Sequence, residues 1–260
     1  MRIKWLFFPV VMLVSMTMNS ARADFLYAIT SEEELLFVHP ATGAGTLIGT
    51  LETAMGGFGL ANRDEAIYTF DQNEDRLRQL DPATGHTLET IDIGIITMGE
   101  GALAFRSDGI GYLARSLGST GTLWSFNITQ PGSTFIGMLD FGIDGLDFNA
   151  NDVLYGLSQT DYNLYIIDQT TAAPTLVGPT GLISNNVLGG LTFSSDGTLY
   201  AALNDALYKL DPGTGAATLI GPIGYNNVSG LTAVAPVPGT VLLCGIGAGL
   251  VHWLRRHRIL

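Results

Sequence analysis

Apolar positions in this chain come in short runs, each separated from the next by turns rich in Gly, Pro, Asp and Thr, and the whole pattern repeats. A first run centres on Tyr27, Tyr68, Tyr112, Tyr155 and Tyr200, spaced by 41, 44, 43 and 45 residues. A second follows at Leu35-Leu36-Phe37-Val38, Leu77-Arg78-Gln79-Leu80, Leu123-Trp124-Ser125-Phe126, Leu164-Tyr165-Ile166-Ile167 and Leu207-Tyr208-Lys209-Leu210. The third is Thr46-Leu47-Ile48-Gly49, Thr87-Leu88-Glu89-Thr90, Thr134-Phe135-Ile136-Gly137, Thr175-Leu176-Val177-Gly178 and Thr218-Leu219-Ile220-Gly221. The fourth is Gly59-Leu60-Ala61, Ala102-Leu103-Ala104-Phe105, Gly145-Leu146-Asp147-Phe148, Gly190-Leu191-Thr192-Phe193 and Gly230-Leu231-Thr232-Ala233. Four strands in a repeat of about 43 residues is the size of one β-propeller blade.

The turn after the second run has its own chemistry. Asp81-Pro82-Ala83-Thr84-Gly85 and Asp211-Pro212-Gly213-Thr214-Gly215 are two versions, and His39-Pro40-Ala41-Thr42-Gly43 is a variant. Proline presets φ, aspartate accepts from nearby backbone N–H groups, and glycine takes the left-handed conformation that closes the turn. The copies are also out of phase with the chain. The first lacks a Gly-Leu strand and the last has one to spare, so pairing the run at Tyr27 with Gly230-Leu231-Thr232 closes a ring and removes exposed sheet edges. The expected fold is all-β, a propeller of five four-stranded blades with the Gly-Leu strands innermost. An open repeat array or a sandwich is the competing arrangement.

Both ends depart from this pattern. Arg2 and Lys4, the apolar stretch Trp5 to Val14 and the small-x-small triplet Ala21-Arg22-Ala23 make residues 1–23 a secretory signal, with signal peptidase expected to leave Asp24 as the mature start. At the other end Pro236-Val237-Pro238-Gly239-Thr240 interrupts strand structure, an apolar glycine-rich segment runs from Thr240 to Leu254, and Arg255, Arg256 and Arg258 close in positive charge. Fifteen residues make about 22 Å of helix, a short span against a hydrocarbon core of about 30 Å, and snorkelling arginines help such a segment to pause in the membrane. The basic cluster stays cytoplasmic by the positive-inside rule. The expected division is a signal at 1–23, a propeller at 24–234 and an anchor segment at 235–260.

The tripartite ending resembles the PEP-CTERM sorting signal of Gram-negative bacteria that secrete extracellular polysaccharide. Pro236 and Pro238 match the motif, Gly239-Thr240 its usual continuation, and Val237 stands where the family has glutamate. The resemblance implies an exosortase-type sorting enzyme as a partner, transient tethering to the inner membrane, and delivery to the cell surface or extracellular matrix.

Composition narrows the chemistry. All 24 acidic residues lie between Asp24 and Asp211, against six basic ones over the body, a net charge of −18 that repels nucleic acid. The single cysteine, Cys244, lies in the apolar tail and permits no intramolecular disulfide. His39 and His86 sit in turns and His252 and His257 in the tail, too dispersed for a zinc site or a hydrolytic triad. The glycine-rich stretch Met55-Gly56-Gly57-Phe58-Gly59 leads into a strand, so it lacks the helix terminus that binds phosphate.

The polar groups expected at the channel mouth are Glu100, Asp144 and Asp147, with no matching catalytic set across the copies. No cofactor is expected. A ring of carboxylates at the channel mouth would suit calcium, which takes six to eight oxygen ligands. The leading expectation is an exported, non-enzymatic propeller that binds extracellular polysaccharide or a matrix protein. The alternatives are a calcium-dependent hydrolase resembling the six-bladed gluconolactonases, and a purely structural surface spacer.

Overall fold

The computed structural model describes residues 24–52, 57–95, 101–183 and 189–235. The signal, the tail beyond Ala235 with its expected apolar helix, and Glu100 lie outside these residues. Blade 1 contains β1 (Phe25–Thr30), β2 (Glu34–Val38) and β3 (Gly45–Thr50). Blade 2 is β4 (Gly57–Arg63), β5 (Ala66–Asp71), β6 (Arg76–Leu80) and β7 (Thr87–Ile91). Blade 3 is β8 (Gly101–Phe105), β9 (Ile110–Ser116), β10 (Gly121–Asn127) and β11 (Gln130–Leu139), and blade 4 is β12 (Ile143–Phe148), β13 (Leu154–Ser158), β14 (Asn163–Ile167) and β15 (Pro174–Pro179). Blade 5 is β16 (Gly189–Phe193), β17 (Leu199–Leu203), β18 (Ala206–Leu210) and β19 (Ala217–Pro222), after which β20 (Val228–Val234) returns to blade 1.

The sheets are five, each four-stranded and antiparallel, and blade 1 has the order β20-β1-β2-β3. Tyr27 lies opposite Thr232 and Ala28 opposite Leu231. This is the closure expected from the phase of the repeats, and it disposes of the open array and the sandwich. The inner strands β20, β4, β8, β12 and β16 pack on one another around the axis.

The Gly-Leu pair of the inner strands follows from that crowding. A Cβ on Gly145 would lie 2.6 Å from the Leu191 nitrogen, and the same conflict arises between Gly190 and Leu231, Gly230 and Leu60, and Gly59 and Leu103. Any side chain there would force neighbouring strands apart. The leucines that follow, Leu60, Leu103, Leu146, Leu191 and Leu231, are all buried and fill the axis. Burial stabilises by roughly 1.5–3 kcal/mol per leucine side chain.

A second lock holds the outer strands. Third-strand glycines Gly49, Gly137, Gly178 and Gly221 face the threonine carbonyls of the next blade's turn, and a Cβ on any of them would come within 2.1–2.6 Å of Thr84, Thr171, Thr214 or Thr42 oxygen. In blade 2 the register places Ile91 opposite Leu77, and the close approach to blade 3 is made instead by Gly94, where a Cβ would lie 3.1 Å from the Gly132 Cα. The turns behave as their sequences predict: Asp81 Oδ1 accepts from Ala83 N–H, Asp211 Oδ1 from Gly213 N–H, and His39 Nδ1 from Ala41 N–H.

Gly85 and Gly215 share φ near 81°, yet a Cβ on Gly215 would meet the Gly178 oxygen at 2.5 Å whereas on Gly85 the nearest atom is 3.4 Å away. Left-handed strain of about 1–2 kcal/mol applies to both, partly offset by loss of unfolded-state freedom. Gly215→Ala is therefore expected to lower the unfolding midpoint in urea clearly more than Gly85→Ala. Equal effects would show that the blade 4 to blade 5 turn contact contributes nothing.

Candidate functional site

Every inner strand runs toward the same face of the ring, and its last residues build the wall of a cavity there. The equivalent positions Asn62, Phe105, Phe148, Phe193 and Ala233 surround an opening of about 460 Å³. That is within the size of small-molecule sites, about 300–1,000 Å³. Below it the leucine ring leaves a void of only about 10 Å³, so the cavity is a blind cup.

Aromatic packing decides where the cup is lined by rings. Phe105 packs on Tyr68, Phe148 on Tyr112 and Phe193 on Tyr155, with centroids 5.1–5.2 Å apart, each pair bridging two blades. The repeated tyrosines at these three positions thus pack between blades, and the phenylalanine rings are consumed by that packing. At the two neighbouring positions Asn62 and Ala233 replace the ring, so the wall is polar or small on the side of the closing strand.

Three carboxylates of the cup, Asp24, Asp147 and Asp152, serve as clasps between blades. Asp152 Oδ1 accepts from Ser107 N–H at 3.0 Å and its Oδ2 from Ser107 Oγ at 2.7 Å, tying blade 4 to blade 3. Asp24 repeats the arrangement: its Oδ1 accepts from Ser195 Oγ at 2.7 Å and its Oδ2 from Ser195 N–H, tying blade 1 to blade 5. The positions correspond, since each aspartate stands two residues before the leucine of a first run and each serine two residues after a Phe. Asp24, singled out from the sequence as the cleavage position and first propeller residue, is thus also a clasp between blades. The signal that would have revealed this is the alignment of Asp24-Phe25-Leu26-Tyr27 with Asp152-Val153-Leu154-Tyr155.

Asp147 lies at the floor of the cup. Its Oδ1 accepts from Phe148 N–H at 2.8 Å, and its Oδ2 accepts from Phe193 N–H at 2.7 Å and Thr192 Oγ1 at 3.0 Å. Thr192 Oγ1 in turn accepts from Ala233 N–H at 3.0 Å. One inner-strand side chain after another therefore satisfies an N–H on the open edge of the next strand. Burial pushes the Asp147 carboxyl up to about 6, the three hydrogen bonds opposing that rise.

Of the two expected channel-mouth residues that are described, Asp147 is in the cup. Asp144 is buried and lines the constriction among the leucines instead. The rest of the wall is a network around Arg106, which donates to both Asp108 oxygens at 3.0 and 2.6 Å and to Tyr112 Oη and Gln169 Oε1. Arg106 holds the Asp108 carboxyl below its ordinary value. Counting Asp24, Asp64, Asp108, Asp147 and Asp152 against Arg63 and Arg106, the lining is net negative. Among the described residues no three His, Cys, Asp or Glu side chains converge in a way that would hold a metal ion.

A carboxyl with a folded value near 6 against an ordinary 3.8 stabilises the fold by carrying its proton. That contribution is complete below pH 3.8 and is lost as pH rises through about 6. The full shift corresponds to about 3 kcal/mol as an upper figure. The stability of Asp147→Asn minus that of the parent should therefore move in the variant's favour between pH 4 and pH 7, read from chemical denaturation at each pH. A difference that stays flat over this range would show that Asp147 does not titrate there.

No protein-family model and no curated protein matches the chain. Solved structures do. It is similar to a gluconolactonase of Xanthomonas campestris, with a TM-score of 0.52 and 11% identity over 80% of this chain and 79% of that one. It is similar to a chain of a nidogen/laminin complex, with a TM-score of 0.51 and 12% identity over 82% and 98%. Virginiamycin B lyase of Staphylococcus aureus aligns with a TM-score of 0.46 and 13% identity over 77% and 70%. What the chain shares with the first two, at these identities, is the propeller architecture.

Proposed function

We propose that this chain is an exported, non-enzymatic β-propeller, tethered at the cell surface or held in an extracellular polysaccharide layer, that binds a polymer or protein partner through the cup at its inner-strand ends. The observation that carries the reading is the use made of the cup's carboxylates. Asp24, Asp147 and Asp152 each accept two or more hydrogen bonds that fasten one blade to another. Asp108 is committed to Arg106. Of the lining carboxylates this leaves Asp64 exposed, 3.4 Å from Arg63, and a single remaining carboxylate does not make the pair that general acid–base chemistry needs. A rigid, polar cup of about 460 Å³ suits recognition.

Export rests on the signal at residues 1–23, cut by signal peptidase between Ala23 and Asp24. Tethering rests on residues 235–260, with the PEP-CTERM-like motif Pro236-Val237-Pro238 presented to an exosortase-type enzyme and Arg255, Arg256 and Arg258 left on the cytoplasmic side of the inner membrane. The net charge of −18 on the body favours solubility outside the cell and disfavours nucleic acid.

The test is retention of the full chain on immobilised polysaccharide from the producing cells, alongside Ala150→Trp, which places a bulky ring in the cup from an exposed position. The parent is expected to be retained and the variant to lose most of its binding at unchanged thermal stability. No retention of the parent would reject the polysaccharide form of the proposal. Equal retention of both would move the binding surface away from the cup.

A further inference from the structure

The two ends of the described chain meet on the rim of the cup: Asp24 and Ala235 both line it, and Phe25 lies opposite Val234 in the closing pair. β20 is an innermost strand, so the chain leaves the ring beside its axis and on the cavity face. From the exposed Ala235 the sequence has only Pro236-Val237-Pro238-Gly239 before the apolar segment that begins at Thr240. Four residues reach at most about 14 Å. The headgroup layer on one side of a bilayer occupies about 5–7 Å of this reach.

Resting on the proposal above that residues 235–260 anchor the chain, we infer that the anchored propeller holds its cup toward the bilayer across a narrow gap. The site then admits small solutes and single extended polymer strands and excludes folded proteins. A strap attached at the outer rim would let the ring stand on edge with the cup open to the side. Attachment next to the axis keeps the cup on the membrane side at any rotation, because tilting only brings one part of the rim closer. A small folded domain is about 30 Å across, wider than the strap is long. Repulsion between the acidic lining and anionic headgroups is screened within about 8–10 Å, so it does not lift the ring beyond the strap's reach. Cutting the chain between Ala235 and Thr240 would open the face to larger partners. This narrows the partner of the anchored form to a thin, flexible polymer or a small solute.

The experiment uses the full chain in sealed lipid vesicles, with Cys244→Ala to clear the native thiol and one new cysteine per variant. Ala150→Cys reports on the cup, where Ala150 is exposed. Glu32→Cys reports on the opposite face, in the exposed turn that β1 reaches after running away from the rim. A small maleimide should label both at similar rates. A polyethylene-glycol maleimide bulkier than a folded domain should label Glu32→Cys faster than Ala150→Cys by about tenfold or more, the scale on which restricted approach slows an encounter. Equal labelling by the large reagent on chains that sediment with the vesicles would overturn the inference and leave the anchor standing. Chains that float free of the vesicles would overturn the anchor reading and the inference with it. Unchanged melting of both cysteine variants ensures that the comparison concerns the folded ring.

Discussion

The whole architecture depends on how closely five inner strands can approach one axis. Gly59, Gly145, Gly190 and Gly230 let the backbone of each strand touch the Leu N–H region of the next, and no larger residue would fit. Once the strands are that close, Leu60, Leu103, Leu146, Leu191 and Leu231 meet and fill the centre. Close approach also sets the height at which the strands stop overlapping, and beyond that height the cup opens. The site is thus a consequence of axial packing, made by the ends of the same strands that seal the axis below it.

Inner strands present an open edge to the centre, and unpaired N–H groups there carry a desolvation penalty of about 1–3 kcal/mol when buried. Side chains discharge part of it: Asp147 accepts from Phe193 N–H and Thr192 from Ala233 N–H. Placing an aspartate in this role is costly in a buried setting, which is why its carboxyl titrates near 6. Threonine performs the same task in the next blade without charge. Ala61 and Ala104 occupy the position in blades 2 and 3 and make no such bond through a side chain, so the clasping is uneven around the ring and concentrated toward the closing seam.

Much of the fold was legible in the sequence because it is written five times. The strand runs, the Asp-Pro turns, the inner Gly-Leu strands and the pairing of Tyr27 with Thr232 all follow from repetition and phase. The clasps were not legible. Ser195 and Asp24 are 171 residues apart and meet only once the ring has closed. Asp144 and Asp147 were both expected at the channel mouth, but at about 3.3 Å per residue a strand carries them roughly 10 Å apart, one into the leucine constriction and the other into the cup. The Gly49, Gly137, Gly178 and Gly221 positions read simply as ends of strands. Their reason, a carbonyl from the neighbouring blade, is visible only in three dimensions.

The closing seam also determines how the ring bears a load applied where the described chain ends. Tension applied at Ala235 runs along β20, and β20 is hydrogen-bonded to β1 over Phe25 to Thr30. Ladder bonds between antiparallel strands stand perpendicular to the strand direction, so pulling along β20 loads them together in shear. A peripheral strand pulled sideways would instead lose its bonds one at a time. The Asp24 clasp to Ser195 adds a cross-tie beside the same point, joining β1 to the blade on the far side of β20. The seam that removes the sheet edges is consequently the part of the ring that best resists a pull on the chain at Ala235.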